Sequence, residues 1–193
     1  ATNENDILAR TLRTGRYEMR AVTATTSPSM DIQISSNLER LLFECHDRDA
    51  SQIRQYMSGL KQSGAFTIDP QALKAMRKIF SAGKATRKQT DATIAEMHQR
   101  AGYLLDPHTA VGVHVSKRFE KPNAPMITLA TAHPAKFPDA VKSASGIDPA
   151  LPSWLSDLMV REERFDKLQP DLDVIETYIA RNAGAAKLTR NKI

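Results

Sequence analysis

Two short polar clusters carry side chain types that can hold a ligand. The first ends the apolar run of residues 126–131 (MITLAT) and contains Thr131 and His133. The second is Asp106-Pro107-His108-Thr109. Open α/β sheets bind ligands at the carboxyl ends of their strands, so the Thr131 hydroxyl or the His133 imidazole would meet a molecule bound there. The second cluster also fits an N-cap followed by a helix, and both interpretations stay open.

Other reactive side chains have simpler interpretations. Cys45 and His46 are adjacent, and neighbouring residues on a helix point about 100° apart, which favours a structural cysteine over a nucleophile with its base. Lys136 follows the same apolar run and would suit a Schiff base, although a solvated lysine in a first helical turn is favoured. The histidines lack the spacing of metal ligands, so no metal is predicted. The 8 glycines form no cluster that would cradle a phosphate.

Composition favours an ordinary globular protein. Of its 193 residues, 41% are hydrophobic and 25% are charged, and the one cysteine excludes an internal disulfide. No apolar run is long enough to cross a membrane and the start has no signal-peptide core, so we expect a cytoplasmic protein without a membrane partner. The net charge of +5 is concentrated in residues 74–88 and 187–193. We interpret these stretches as solvated surface and predict no nucleic-acid partner.

The first hundred residues read mainly as helices. Residues 1–15 predict a helix that ends at Gly15, residues 19–34 a loop, and residues 36–102 an all-helical block. Within the block, we expect two capping boxes, one Asp-Pro helix start and two helix stops at glycine: Ser36 with Glu39, Asp49 with Gln52, Asp69-Pro70, Gly83 and Gly102.

After Gly102, short apolar runs alternate with helical segments, which is typical of an α/β layer. Residues 103–105 predict a short strand, and residues 126–131 predict a buried strand. Residues 109–119 fit a strand and a helix equally well, and composition does not decide between them. A helix should follow and end at Gly146. Two further helices are expected in residues 148–193, one near 151–159 and one through 172–179.

Four blocks of this sequence resemble threonine synthase of the long bacterial and fungal type. They are ATNENDIL (1–8), SPSMDIQISSNLERLLFE (27–44), GYLLDPHTAVG (102–112) and LATAHPAKF (129–137), in the family's order. The likeness spans nearly the whole chain and is weakest after Asp148. It implies an α/β fold class, namely a helix-rich C-terminal portion of a tryptophan synthase β-like enzyme with a helical insertion. The implied division is 1–35, 36–102 (the insertion), 103–147 (the pocket-lining segment) and 148–193 (a helical extension).

The resemblance also implies a function. Threonine synthase is a lyase that uses pyridoxal phosphate (PLP) to convert O-phospho-L-homoserine and water into L-threonine and phosphate. The family's Schiff-base lysine and Gly-rich phosphate loop precede the region that ATNENDIL matches, so we assign no catalytic residue here and expect this chain alone to be inactive. A start at Ala1 fits a piece of a larger or processed protein, with removal of an initiator Met as the alternative. The expected partners are the substrate and the N-terminal part of the same enzyme.

Within the chain, the resemblance assigns Thr131 to the pyridine nitrogen of PLP. Asp106, His108 and His133 are expected to build the wall of the same pocket. Two alternatives stay open: a non-catalytic interaction or anion-binding module that uses residues 74–88, and an inactive paralogue of the enzyme.

Overall fold

The computed structural model describes residues 1–184, which divide into one compact unit from Ala1 to Leu151 and a second that begins at Pro152. The basic stretch 187–193 lies outside the described residues. Eight helices are formed within residues 1–184: α1 Ile7–Thr14, α2 Leu38–Cys45, α3 Ala50–Ser63, α4 Pro70–Ile79, α5 Arg87–Ala101, α6 Pro107–Ser116, α7 Pro138–Ser145 and α8 Leu172–Asn182. None of these helices is long and apolar enough to cross a membrane.

The first core lies between α1, α2, α3 and α4. Ile7, Leu42 and Met76 are almost wholly buried there. A two-stranded antiparallel sheet covers this core, with β1 (Arg16–Glu18) paired to β2 (Ala65–Thr67). The rings of Tyr17 and Phe66 are paired across the strands and stack with centroids 4.9 Å apart. Sequence reasoning missed both strands, because three residues are too few to show the alternation that predicts a strand.

The second core lies where α5 packs against α6 and α7. Ile94 from α5 contacts Leu105 and Ala110 in this core, and all three are buried. Gly83 lies in the loop between α4 and α5. Its lack of a side chain lets this loop approach α6 closely, because a Cβ at this position would lie 2.8 Å from Val115 Cγ1. This second core supports the two polar clusters that the sequence singled out.

Helix boundaries follow the local sequence at most positions. Asp49, Asp69 and Asp106 each cap a helix by accepting hydrogen bonds from backbone N–H groups. Gly15, Gly64, Gly102 and Gly146 each end a helix with a positive φ, which confirms the stops predicted at Gly15, Gly102 and Gly146.

Three boundary predictions are wrong. Asn37, and not Ser36, precedes α2, and its helical φ and ψ prevent the side-chain cap that an extended residue would make. Gln52 bonds to Gln55 and does not return a bond to Asp49, so the second capping box is half formed. Helix α4 ends at Ile79, before Gly83, because Phe80 adopts an extended backbone.

The predicted strands after Gly102 are also wrong. Residues 103–105 lead into the cap of α6 without pairing, and Leu105 instead fills the second core. Residues 126–131 have no partner strand within residues 1–184, and Ile127 and Leu129 are 79% and 75% exposed. An apolar run becomes a buried strand only where neighbouring strands pair with it and cover it, and the described residues supply none. The ambiguous residues 109–119 are resolved as mostly helical, in α6.

The second unit contains two short 3-10 turns, Ser153–Leu155 and Leu158–Val160, followed by α8. The single helix expected near residues 151–159 is therefore replaced by these turns. Asp171 caps α8 through a hydrogen bond from the Val174 N–H, and the helix predicted through residues 172–179 is confirmed.

Candidate functional site

The N-terminus of α6 is a buried polar site in the first unit. Asp106 is 1% exposed and its carboxylate Oδ1 accepts hydrogen bonds from the His108 N–H at 2.8 Å and from the His108 ring Nδ1 at 3.0 Å. Oδ2 accepts from the Thr109 N–H at 3.3 Å and from the Thr109 hydroxyl. Pro107 occupies the first helical position, where a missing N–H costs nothing. The Asp106 carboxylate is thus fully engaged by its own helix.

Thr109 links this cap to Thr131. Its Oγ1 accepts a hydrogen bond from the Thr131 N–H at 3.1 Å, while its hydroxyl proton goes to Asp106. A hydroxyl has one proton to donate and two lone pairs to accept with, so both bonds form together. The structure therefore connects Asp106 to Thr131 through a residue that sequence reasoning left as a helix start. The sequence feature that could have identified Thr109 is its hydroxyl, three residues after the capping Asp106.

The segment 126–131 lies along one face of α6. Thr128 Oγ1 donates to Ser116 Oγ at 3.1 Å, and a Cβ on Gly112 would lie 3.1 Å from Thr128 Cγ2. Three extended residues span about 10 Å, and the seven helical residues from Thr109 to Ser116 rise about 10.5 Å. The segment therefore runs antiparallel to the helix, with matching lengths, and ends with Thr131 at the helix N-terminus.

A cavity of about 470 Å³ adjoins this end of α6. Its lining includes Asp106, Thr109 and His133, so the structure brings two of the four predicted site residues to one cavity. Thr131 and His108 are outside the lining. Thr131 is exposed, like Ile127 and Leu129 at alternate positions of its segment, and its hydroxyl has no hydrogen-bond partner among residues 1–184.

His108 contacts residues from three separate segments, namely Asp106, Ser29 and Phe137. Its Nδ1 bonds to Asp106 and its Nε2 lies 3.4 Å from the Ser29 backbone nitrogen, whose N–H donates to it. An accepting Nε2 requires a neutral ring with its proton on Nδ1. The ring also packs on Phe137 with centroids 4.6 Å apart. His108 is 9% exposed and its contacts are structural.

His133 begins the turn after Thr131. Its Nδ1 accepts a hydrogen bond from the Ala135 N–H at 3.2 Å and thereby caps the 3-10 turn Pro134–Lys136. The imidazole is exposed, which leaves Nε2 accessible at the cavity. Lys136 is exposed at the end of this turn, with its ammonium 5.8 Å from the centre of the Phe137 ring.

A buried polar network supports the turn that meets His108. Asp31 Oδ1 accepts hydrogen bonds from Asn3 Nδ2 at 2.7 Å, from Asn5 Nδ2 at 2.9 Å and from the Thr25 hydroxyl at 2.7 Å. Asn3 Nδ2 also lies 3.0 Å from the Oγ of Ser27, next to the turn Pro28–Met30. Sequence reasoning missed this network because loop amides and hydroxyls show no periodicity. It joins the first two blocks that carry the family resemblance.

The remaining candidates form no second site. His46 Nε2 lies 3.2 Å from the Tyr56 hydroxyl oxygen. Burial and the neighbouring Glu44 carboxylate raise the pKa of the half-buried Cys45 thiol, which disfavours a nucleophilic thiolate. Among residues 1–184, no group of three or more His, Cys, Asp and Glu side chains is placed to hold a metal ion.

Comparison with known proteins identifies the family. Residues 109–179 match the family model described as "Threonine synthase, C-terminal". The crystal structure of PLP-bound threonine synthase from Brucella melitensis superposes on 95% of this chain with a TM-score of 0.86 and 58% identity. The chain belongs to the threonine synthase family. It corresponds to the C-terminal part of these enzymes, which confirms the fold class expected from the four sequence blocks.

The match covers nearly all of this chain but less than half of the length of each threonine synthase. Threonine synthase from Pseudomonas aeruginosa is 41% identical over 189 residues, which is 97% of this chain and 40% of the relative. The Saccharomyces cerevisiae threonine synthase is 37% identical over 216 residues, covering 100% of this chain and 42% of the yeast protein. The chain therefore spans about 40% of the length of the threonine synthases that it matches.

Proposed function

We propose that this chain forms the C-terminal part of a PLP-dependent threonine synthase. The whole enzyme would convert O-phospho-L-homoserine and water into L-threonine and phosphate. One observation carries the proposal: the chain is 58% identical to a PLP-bound threonine synthase over 95% of its length, with a TM-score of 0.86. The family model covers residues 109–179, which include Thr109, Thr131 and His133.

Within this enzyme, Thr131 would hydrogen-bond the pyridine nitrogen of PLP. Its hydroxyl is exposed and has no partner among residues 1–184, so it is free to donate to a ligand. The carboxylate nearby, Asp106, already accepts from His108 and Thr109 and is buried. The residues present therefore fit a neutral donor to the ring nitrogen better than a charged partner.

This choice of donor has a chemical consequence. When bound, PLP withdraws electrons from the substrate carbons that react. A carboxylate beside the ring nitrogen would favour its protonated form, whereas a neutral hydroxyl donates to the unprotonated nitrogen and moderates that withdrawal. Thr131 would thus keep its own proton, leave the pyridine nitrogen unprotonated and orient the ring. His133 and Asp106 would form part of the surrounding wall, and His108 would hold that wall to the Ser29 turn.

The remaining parts would come from the N-terminal region of the enzyme. We expect that region to supply the lysine that binds PLP and the Gly-rich loop that holds its phosphate. The exposed face of Ile127, Leu129 and Thr131 is apolar except at its last residue. Strands of the N-terminal region would cover this face and bring the cofactor to the Thr131 hydroxyl. This chain without that region is expected to be inactive.

The proposal is tested by phosphate release from O-phospho-L-homoserine with added PLP. The longest product that the gene encodes should release phosphate, and the 193-residue chain should not. Thr131→Val in the long product should lower PLP affinity and turnover while the fold is retained, and Thr131→Ser should keep most of both. Absence of phosphate release by the long product would contradict the proposed activity.

A further inference from the structure

We infer that Thr109 is the positioning residue that aims Thr131 at its ligand. This inference rests on the proposed function, since it concerns the same site. Thr109 is 5% exposed, whereas Thr131 is exposed. Within the described residues, the two are joined by the hydrogen bond from the Thr131 N–H to Thr109 Oγ1.

The direction of each hydrogen bond follows from the chemistry of the three groups. The Asp106 carboxylate is an acceptor, so the Thr109 hydroxyl must donate its proton to it. A lone pair on Oγ1 then faces the Thr131 N–H, which can only donate. The cap of α6 thus fixes the rotamer of Thr109, and that rotamer determines where the Thr131 backbone is held.

Little else holds this part of the chain. Within the described residues, the backbone of residues 125–132 makes one hydrogen bond, which the Thr131 N–H donates to Thr109. The other hydrogen bond is made by the Thr128 side chain, three residues earlier, to Ser116. Without the Thr109 contact, the Thr128 hydrogen bond to Ser116 would be the one that still holds this segment within the described residues. Because a displacement of about 1 Å at a binding group can cost about 100-fold in rate, this anchor has a large effect on the site.

The consequence for substitutions is specific. Thr109→Val keeps the shape of the side chain but removes both the proton for Asp106 and the acceptor for Thr131. Thr109→Ser keeps both and should restore the site. Thr93 provides a matched control, because it is also a buried helical threonine, and within residues 1–184 its hydroxyl bonds only to the Gln89 carbonyl of its own helix.

The first test is amide hydrogen exchange in the full-length enzyme without PLP. In Thr109→Val, the Thr131 amide should exchange about tenfold faster. Thr109→Ser and Thr93→Val should leave its exchange rate at the wild-type value. The Ala85 amide, which donates to the Thr2 carbonyl, is the internal reference. Wild-type exchange at Thr131 in the Thr109→Val protein would overturn the inference.

The second test is PLP affinity, measured by fluorescence titration of the same full-length proteins. Thr109→Val should weaken binding about tenfold, with rescue by Thr109→Ser. The double variant Thr109→Val/Thr131→Val should bind no more weakly than Thr131→Val alone, because Thr109 acts through Thr131. Additive losses would overturn the positioning role and assign Thr109 to general stability. If the wild-type enzyme bound no PLP, the proposed function would fail, and with it this inference, whatever the amide exchange showed.

Discussion

The two Asp-Pro helix caps of the chain offer an internal comparison for the buried site. Asp106 and Asp69 each precede a proline and accept hydrogen bonds from two backbone N–H groups. Asp69 is exposed, and among residues 1–184 its carboxylate accepts hydrogen bonds only from the Gln71 and Ala72 N–H groups of α4. Asp106 is buried and also accepts from the ring of His108 and the hydroxyl of Thr109. Substitution of each by alanine isolates the free energy of those extra bonds.

The expected magnitudes differ clearly. Asp69→Ala removes a cap worth about 1 kcal/mol. Asp106→Ala removes a similar cap and leaves two buried donors without an acceptor, at about 1–3 kcal/mol each, for a total of about 3–7 kcal/mol. With a urea m value of about 2 kcal/mol per molar, the midpoints should fall by about 0.5 M for Asp69→Ala and about 1.5–3.5 M for Asp106→Ala.

Urea unfolding of the PLP-free protein, followed by circular dichroism, measures both shifts. Asp139→Ala is the control for an exposed first-turn carboxylate that caps nothing in α7, and it should change the midpoint by less than about 0.25 M. Equal shifts for Asp106→Ala and Asp69→Ala would mean that the buried bonds of Asp106 contribute nothing to the free energy of unfolding, contrary to this prediction.

Three further outcomes are expected. Gly83→Ala should destabilise the fold by about 1–3 kcal/mol, because its Cβ would lie 2.8 Å from Val115 Cγ1, and Val115→Ala should relieve most of that loss in a thermal-unfolding double-mutant cycle. Burial and the Arg118 guanidinium lower the pKa of His114 in the folded protein. The folded state should therefore lose stability as the pH drops below the ordinary histidine pKa, and His114→Gln should remove that part of the pH dependence in urea titrations. Cys45 should react slowly with a thiol reagent at pH 7 and rapidly in urea; equal rates would contradict the raised pKa of its thiol.

The sequence predicted those elements whose signals are local. Asp69-Pro70 and the glycines at 15, 102 and 146 mark helix ends because capping and positive φ depend on a few neighbouring residues. The strand prediction for residues 126–131 failed because pairing depends on distant segments, and none of residues 1–184 pairs with that run. The antiparallel pair of β1 and β2 was missed because each strand has only three residues and its partner is distant in sequence.

The candidate site was partly accessible from the sequence. The resemblance singled out Thr131, Asp106, His108 and His133, and the structure places Asp106 and His133 at one cavity. The contacts of the His108 ring were not predictable, since its partners Ser29 and Phe137 are distant in sequence. The roles of these residues toward PLP stay predictions.

The protonation state of the PLP ring nitrogen tests whether the neutral hydroxyl of Thr131 faces that nitrogen. Nitrogen NMR of the full-length enzyme loaded with PLP labelled at that nitrogen would measure its protonation. We expect the shift of an unprotonated, hydrogen-bonded pyridine in the wild type, and loss of the hydrogen-bonding contribution in Thr131→Val. A pyridinium shift, or identical spectra for the two proteins, would show that the Thr131 hydroxyl is not a neutral donor to this nitrogen.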